Sequence, residues 1–266
     1  MTGADPAEDY RRVSVALPAV RMLVEPSPNA RVVSGATIVD PSWLAARVAQ
    51  TARVWRCEDS RVSATLWWYS ASSALLAVPT AMLLSIGTAP DPSPERMTFT
   101  LRPDGSFATT RSTTVLPGPA EFAVALRATF EAMIGPLAEI GGVGERSLWA
   151  IAADGLGNRA LDAGSALAGP AAGSAMAVRL AELVGEPMLT PRFVDVRAGV
   201  QLPADPTADP AAGARRFVRR SSCCLLYLTG AAADPGDSDA ADRAKCISCP
   251  NQLPAVRLAR LGALVG

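Results

Sequence analysis

The chain has 266 residues, with 25 Lys and Arg against 25 Asp and Glu, and no histidine. Balanced charge argues against a protein built around nucleic acid or an acidic membrane surface, both of which demand surplus positive charge. Without histidine there is no Cys/His zinc site, no His-based facial triad and no Ser-His or Cys-His nucleophile pair, so sulfur, carboxylate or a cofactor must carry any chemistry.

The opening Met1–Asp9 is acidic and polar, without the basic region and apolar run of a secretory signal, so a cytoplasmic, thiol-reducing setting is expected. Between residues 13 and 39, Val13-Ser14-Val15 and Arg31-Val32-Val33 through Ile38-Val39 are β-branched runs broken by prolines and Gly35, and they predict short strands. Asp40-Pro41 marks a helix start, because Asp caps free amides and proline at the first helical position loses no hydrogen bond. A more hydrophobic helix follows from about Ser63, broken or kinked at Pro79. No charge occurs from Val62 to Pro90. A buried core helix is the expectation there, with a membrane span or a membrane-surface contact as alternatives.

Pro90-Asp91-Pro92-Ser93-Pro94 reads as a rigid connector. Alternation at Met97, Phe99 and Leu101, the Asp104-Gly105 turn and the Thr-rich Phe107–Val115 predict a hairpin. Helices are expected over about 119–139, 145–166 and 171–186, and a strand at Phe193-Val194-Asp195-Val196. The Pro/Ala/Asp-rich stretch 201–214 reads as a connector. Strands, helices, a hairpin and more helices lack the regular alternation of a doubly wound sheet. The fold class predicted is therefore α+β: a mixed helical body with small antiparallel β elements (1–200), the connector (201–214) and a C-terminal cysteine-cluster module (215–266).

Four of the five cysteines fall in that module, as Cys223-Cys224 and Cys246-x-x-Cys249. Cys-x-x-Cys brings two sulfurs of one turn to the same metal. Adjacent cysteines on a strand point to opposite faces, so Cys223 and Cys224 serve one small site only if the backbone turns or if they reach different irons. That tilts the expectation from structural zinc to an iron–sulfur cluster, with structural or disulfide-bonded thiols a further alternative. Arg215, Arg216, Arg219, Arg220, Arg243 and Lys245 flank the pairs, either offsetting a cluster's negative charge or simply solvating a loop. Cys57 stands alone and reads as an incidental thiol. Trp67-Trp68-Tyr69 reads as core before pocket. Gly155-x-Gly157-x-x-Ala160 matches a dinucleotide pattern, but small residues in a packed helix are the stronger reading.

The tail from Arg219 to Leu228, followed by Lys245-Cys246-Ile247-Ser248-Cys249-Pro250, resembles the C-terminal signature of the ferric-siderophore reductase family. Ser147-Leu148-Trp149-Ala150 resembles that family's Leu-Trp helix more weakly. Twenty-one residues separate the cysteine pairs here, more than the family spacing. The inserted 231–244 segment is polar and turn-rich, and reads as a mobile, exposed loop. The resemblance implies an enzyme, a [2Fe–2S] cluster held by Cys223, Cys224, Cys246 and Cys249, and delivery of one electron to a ferric siderophore bound by the body, releasing Fe2+. It also implies a separate electron donor: a ferredoxin, a flavodoxin or an NAD(P)H reductase. It assigns no acid–base catalytic residue. A zinc-stapled scaffold protein and an iron–sulfur redox sensor are the competing expectations.

Overall fold

The computed structural model describes residues 6–27, 30–232 and 239–265. Over these residues the fold is α+β, 58% helical with 12% in small antiparallel sheets. Helix α1 (Pro6–Ala16) and α2 (Pro18–Val24) open it, where a strand was expected at Val13-Ser14-Val15. The reason is burial at helical spacing: Tyr10 and Val13, three apart, face the core, and the Tyr10 hydroxyl accepts a hydrogen bond from Ser112 N–H at 2.7 Å. Strand β1 (Val32–Ser34) forms as expected, whereas Ile38-Val39 belongs to a 3-10 turn over Gly35–Val39.

Helix α3 (Pro41–Trp55) starts where Asp40-Pro41 predicts, with the Asp40 carboxylate accepting from the amides of Ser42 and Trp43. Helix α4 (Ser60–Ile86) is the central rod and runs unbroken through Pro79. An interior proline costs about 3 kcal/mol. The burial of Val78, Ala81, Met82 and Leu83 around it supplies the offset. This is the one helix among the described residues long and apolar enough to cross a membrane, and most of its length is packed inside the protein.

Strand β2 (Ala89–Pro90) pairs with β5 (Val115–Leu116), and β3 (Met97–Leu101) with β4 (Phe107–Ser112) forms the expected hairpin, extended by β1. Helices α5 (Pro119–Gly141), α6 (Glu145–Leu167) and α7 (Pro170–Val184) follow. Helix α6 lies along α4, and Trp68 Nε1–H donates to the Leu148 carbonyl at 2.8 Å across that contact. At the centre of the core Trp68 packs edge-on against Phe130, and Trp149 lies tilted against the same ring. Gly155, Gly157 and Ala160 lie inside α6, not in a strand-to-helix loop, and a Cβ on Gly157 would press on Pro191 and Val218.

Two glycines give a stability test. A Cβ on Gly164 would sit 2.5 Å from the Gly173 backbone where α6 meets α7, and backbone cannot yield. Gly164→Ala should therefore lower the urea midpoint, by about 1–3 kcal/mol of stability. Gly135, inside α5, has nothing within 4 Å of the place a methyl would take, and should instead gain about 0.5–1 kcal/mol as alanine.

The last sheet joins the cysteine-bearing segment to the helices. Strand β6 (Phe193–Arg197) pairs antiparallel with β7 (Val200–Pro203) on one side and with β8 (Arg215–Val218) on the other. Between β7 and β8 the chain packs on the start of α7: Asp209 accepts from Ala171 N–H, and the Ser174 hydroxyl donates to the Pro206 carbonyl. Buried Arg216 closes the sheet with a bidentate pair to Asp195 at 2.9 and 3.0 Å. Two short helices, α8 (Ala240–Ala244) and α9 (Pro254–Gly262), complete the described fold.

Candidate metal centre

Strand β8 delivers the chain to a tight loop. Arg219 N–H continues the ladder to the Arg192 carbonyl, and the next three residues turn inward onto α6. There the Asp154 carboxylate, only 2% exposed, accepts from Ser221 N–H at 2.9 and 3.0 Å, from Ser222 N–H at 2.9 Å and from the Ser222 hydroxyl at 2.6 Å. One buried acid thus satisfies the backbone just ahead of Cys223-Cys224. The turn demanded by two adjacent ligands follows: Leu225 adopts φ of 62°, a left-handed conformation rare outside glycine, and its N–H reaches back to Cys223 Sγ at 3.4 Å.

The chain is then strapped to the end of α3, with Gly230 and Ala231 N–H donating to the carbonyls of Arg56 and Trp55. A Cβ on Gly230 would lie 2.6 Å from the Arg56 oxygen, so the strap requires glycine. Of the expected mobile loop 231–244, residues 233–238 lie outside the described residues. Residues 240–244 form α8, with Ala240 buried. The second cysteine pair is shaped by Cys249 N–H bonding the Cys246 carbonyl at 2.9 Å, and by the Gln252 amide donating to the same oxygen.

All five cysteines are free thiols. Four of them lie close together. Cys249 Sγ lies 3.6 Å from Cys223 Sγ, and Cys224, next to Cys223 in the chain, interacts electrostatically with Cys246. Hydrogen bonds from Cys223 and Cys246 lower the Cys224 pKa against the effect of its burial. The same bonds, with burial, raise Cys223 and Cys246. Among the described residues, no three His, Cys, Asp or Glu side chains group around a single metal ion. Cys57 shares a small apolar cluster with Val62, Leu66 and Cys224, and its thiol points to the Asp59 carbonyl.

Arg220 stands over this row. Its side chain is 1% exposed, Nη1 donates to Cys246 Sγ at 3.0 Å, the guanidinium lies 5.0 Å above the Tyr69 ring, and Nε is 3.7 Å from Asp154. Burial disfavours its charge, but its neighbours Cys246, Tyr69, Cys224 and Asp154 favour it and raise its pKa. Nε and Nη2 make no hydrogen bond. Three other flanking cations expected to face the cysteines are used elsewhere: Arg216 pairs with Asp195, Arg215 donates to the Leu264 carbonyl, and Lys245 pairs with Asp242. Trp67 and Trp68 are core, but Tyr69 beside them packs against the cysteines.

Sequence reasoning did not single out Asp154. Its signal was present: it is the only acid between Glu145 and Asp162 in an otherwise apolar stretch of α6. An unpaired acid on an apolar helix face needs a partner.

A cleft of about 610 Å³ opens onto the half-buried Cys223, lined by Arg61, Arg146, Ser147, Ile151 and Ser222 among others. No carboxylate lines it among the described residues. Comparison with models of known families and with curated proteins returns no match for this chain.

Proposed function

We propose that the protein is a cytoplasmic iron–sulfur oxidoreductase that passes single electrons to ferric siderophores, in the manner of the family its tail resembles. The observation that carries this reading is the row of four thiols under a buried, half-unpaired arginine, opening through Cys223 onto a cationic cleft. The donor set fits a [2Fe–2S] group. Four cysteines supply its ligands without another residue type, and a negatively charged cluster would partner the idle Arg220 N–H groups, whose isolation otherwise costs about 1–3 kcal/mol. Bound there, such a group supplies a one-electron relay.

The chain's own residues do the rest. Cys223, Cys224, Cys246 and Cys249 hold the group; Asp154 fixes the loop bearing the first pair; Arg220 balances negative charge in a low-dielectric setting. Arg146, together with Arg61, which also pairs with Asp59, gives the cleft a positive lining for an anionic chelate, and the half-buried Cys223 opens onto it. Oxygen donors that grip Fe3+ hold Fe2+ less tightly, so one electron gained at the iron is enough for release.

Dithionite-reduced, desalted protein mixed anaerobically with a ferric hydroxamate or catecholate and a ferrous trap should yield about one Fe2+ per cluster oxidised. Protein that stays reduced with both complexes would overturn the reductase reading and put the redox sensor in front. A colourless protein containing zinc would favour the scaffold reading.

A further inference from the structure

Beyond the cleft, on the far side of Ser221, lies a second, smaller depression of about 230 Å³ whose lining includes Arg192, Arg219, Arg220 and Arg257 with Ser248 and Pro250. No acidic residue among those described contributes to it. The chain as a whole has equal numbers of acidic and basic residues, so four guanidinium groups around one hollow are a local arrangement and not a reflection of net charge. Arg192 donates to the Ser221 hydroxyl at 3.2 Å, while Arg219 and Arg257 form no ion pair with any described residue. Arg220, the inner wall, is the residue that donates to Cys246 Sγ, and its Nε and Nη2 make no hydrogen bond. Ser248 and Pro250 belong to the turn that carries Cys246 and Cys249. The hollow therefore reaches the turn that carries the second cysteine pair, through Ser248, Pro250 and the Cys246-bonded Arg220, while Cys223 itself lines the cleft.

Exposed apolar side chains lie on the same turn and the helix after it: Ile247 at 43%, Leu253 at 73% and Val256 at 42% exposure. Leu253 and Val256 line a neighbouring hollow, with Asp242, Lys245 and Arg260, that shares Pro250 with the arginine hollow. Apolar side chains thus border the cations, an arrangement suited to a protein partner of opposite charge whose encounter is steered by electrostatics.

We propose that this face docks an acidic one-electron carrier protein, which gives up one electron here while the ferric complex gains one at the Cys223 cleft. The proposal rests on the reductase reading for the fate of the electron. A reduced nicotinamide is not the direct donor at this face, because it surrenders a hydride, two electrons with a proton, and the one-electron relay cannot take both.

The test uses the full chain and an acidic plant-type [2Fe–2S] ferredoxin as the probe. Binding should be measurable by interferometry at about 50 mM NaCl and weaken at least tenfold at about 500 mM. Arg219→Glu with Arg257→Glu should weaken it by a similar factor, while Arg53→Ala on α3 leaves it unchanged. The double variant, once reduced by dithionite, should still convert ferric complexes at the wild-type rate. Binding that ignores both salt and charge reversal overturns the docking proposal and leaves the reductase reading standing. So does displacement of the ferredoxin by millimolar inorganic phosphate together with a tight phosphate complex, which would mark a small-oxyanion pocket. Charge-dependent binding by a protein that fails the dithionite assay would retain the docking face and remove the reductase reading.

Discussion

Cys223→Ser, Cys224→Ser, Cys246→Ser and Cys249→Ser should each bring iron and sulfide from about two of each per chain to near zero. Cys57→Ser should leave both near the wild-type level. The four thiols lie close together, so removing any one takes a ligand from the proposed set. Cys57 shares the apolar wall behind Cys224 but turns its thiol to a backbone carbonyl. Iron, sulfide and visible absorbance on anaerobically reconstituted variants separate the outcomes. If Cys57→Ser stripped the iron, or a motif variant kept it, the ligand assignment would fall.

The second large effect belongs to Asp154. Its carboxylate receives two backbone amides and a hydroxyl and faces the Arg220 guanidinium, all in a buried setting. Asp154→Ala orphans every one of them. Breaking a buried charge pair from one side costs about 3–5 kcal/mol. The urea midpoint should fall accordingly, and reconstituted protein should retain little iron, since the loop ahead of Cys223 loses its anchor. Asp154→Asn keeps an acceptor oxygen and should lose less. Asp162, one helix face away and largely exposed, should change stability by no more than about 0.5 kcal/mol as alanine. Equal losses at Asp154 and Asp162 would show the anchor to be incidental.

Much of the fold was legible because the physical signal was local. Asp40-Pro41 capped a helix, the Asp104-Gly105 turn closed a hairpin, and the three long helices from Pro119 to Val184 lie within a few residues of their expected limits. The misreadings share a different cause. Val13-Ser14-Val15 has strand composition, but Tyr10 and Val13 together decide for helix by what they bury, and burial is a tertiary fact. Pro79 is a helix breaker in isolation and a tolerated residue inside a rod packed on several sides. The cysteine pairs were visible from spacing. Their supports, Asp154 on α6 and Tyr69 on α4, were not, because 67 and 151 positions respectively separate them from Ser221 and Arg220 along the chain. For the same reason Arg220 read as one of six equivalent flanking cations, when it is the one whose guanidinium bonds Cys246 Sγ.

The long reach of Asp154 has a consequence for how the protein matures. The loop that carries Cys223 and Cys224 is held by hydrogen bonds from residues 221 and 222 to residue 154, and by a strap from residues 230 and 231 to the end of α3. Contacts between such distant positions form late, after shorter-range helices have already packed. A ribosome releases the cysteine pairs after α4 and α6, onto a body that has had time to assemble the surface awaiting them. Loading of the proposed cluster would thereby be tied to the quality of the fold: a chain whose α4–α6 contact is wrong offers no seat for the cysteine loop.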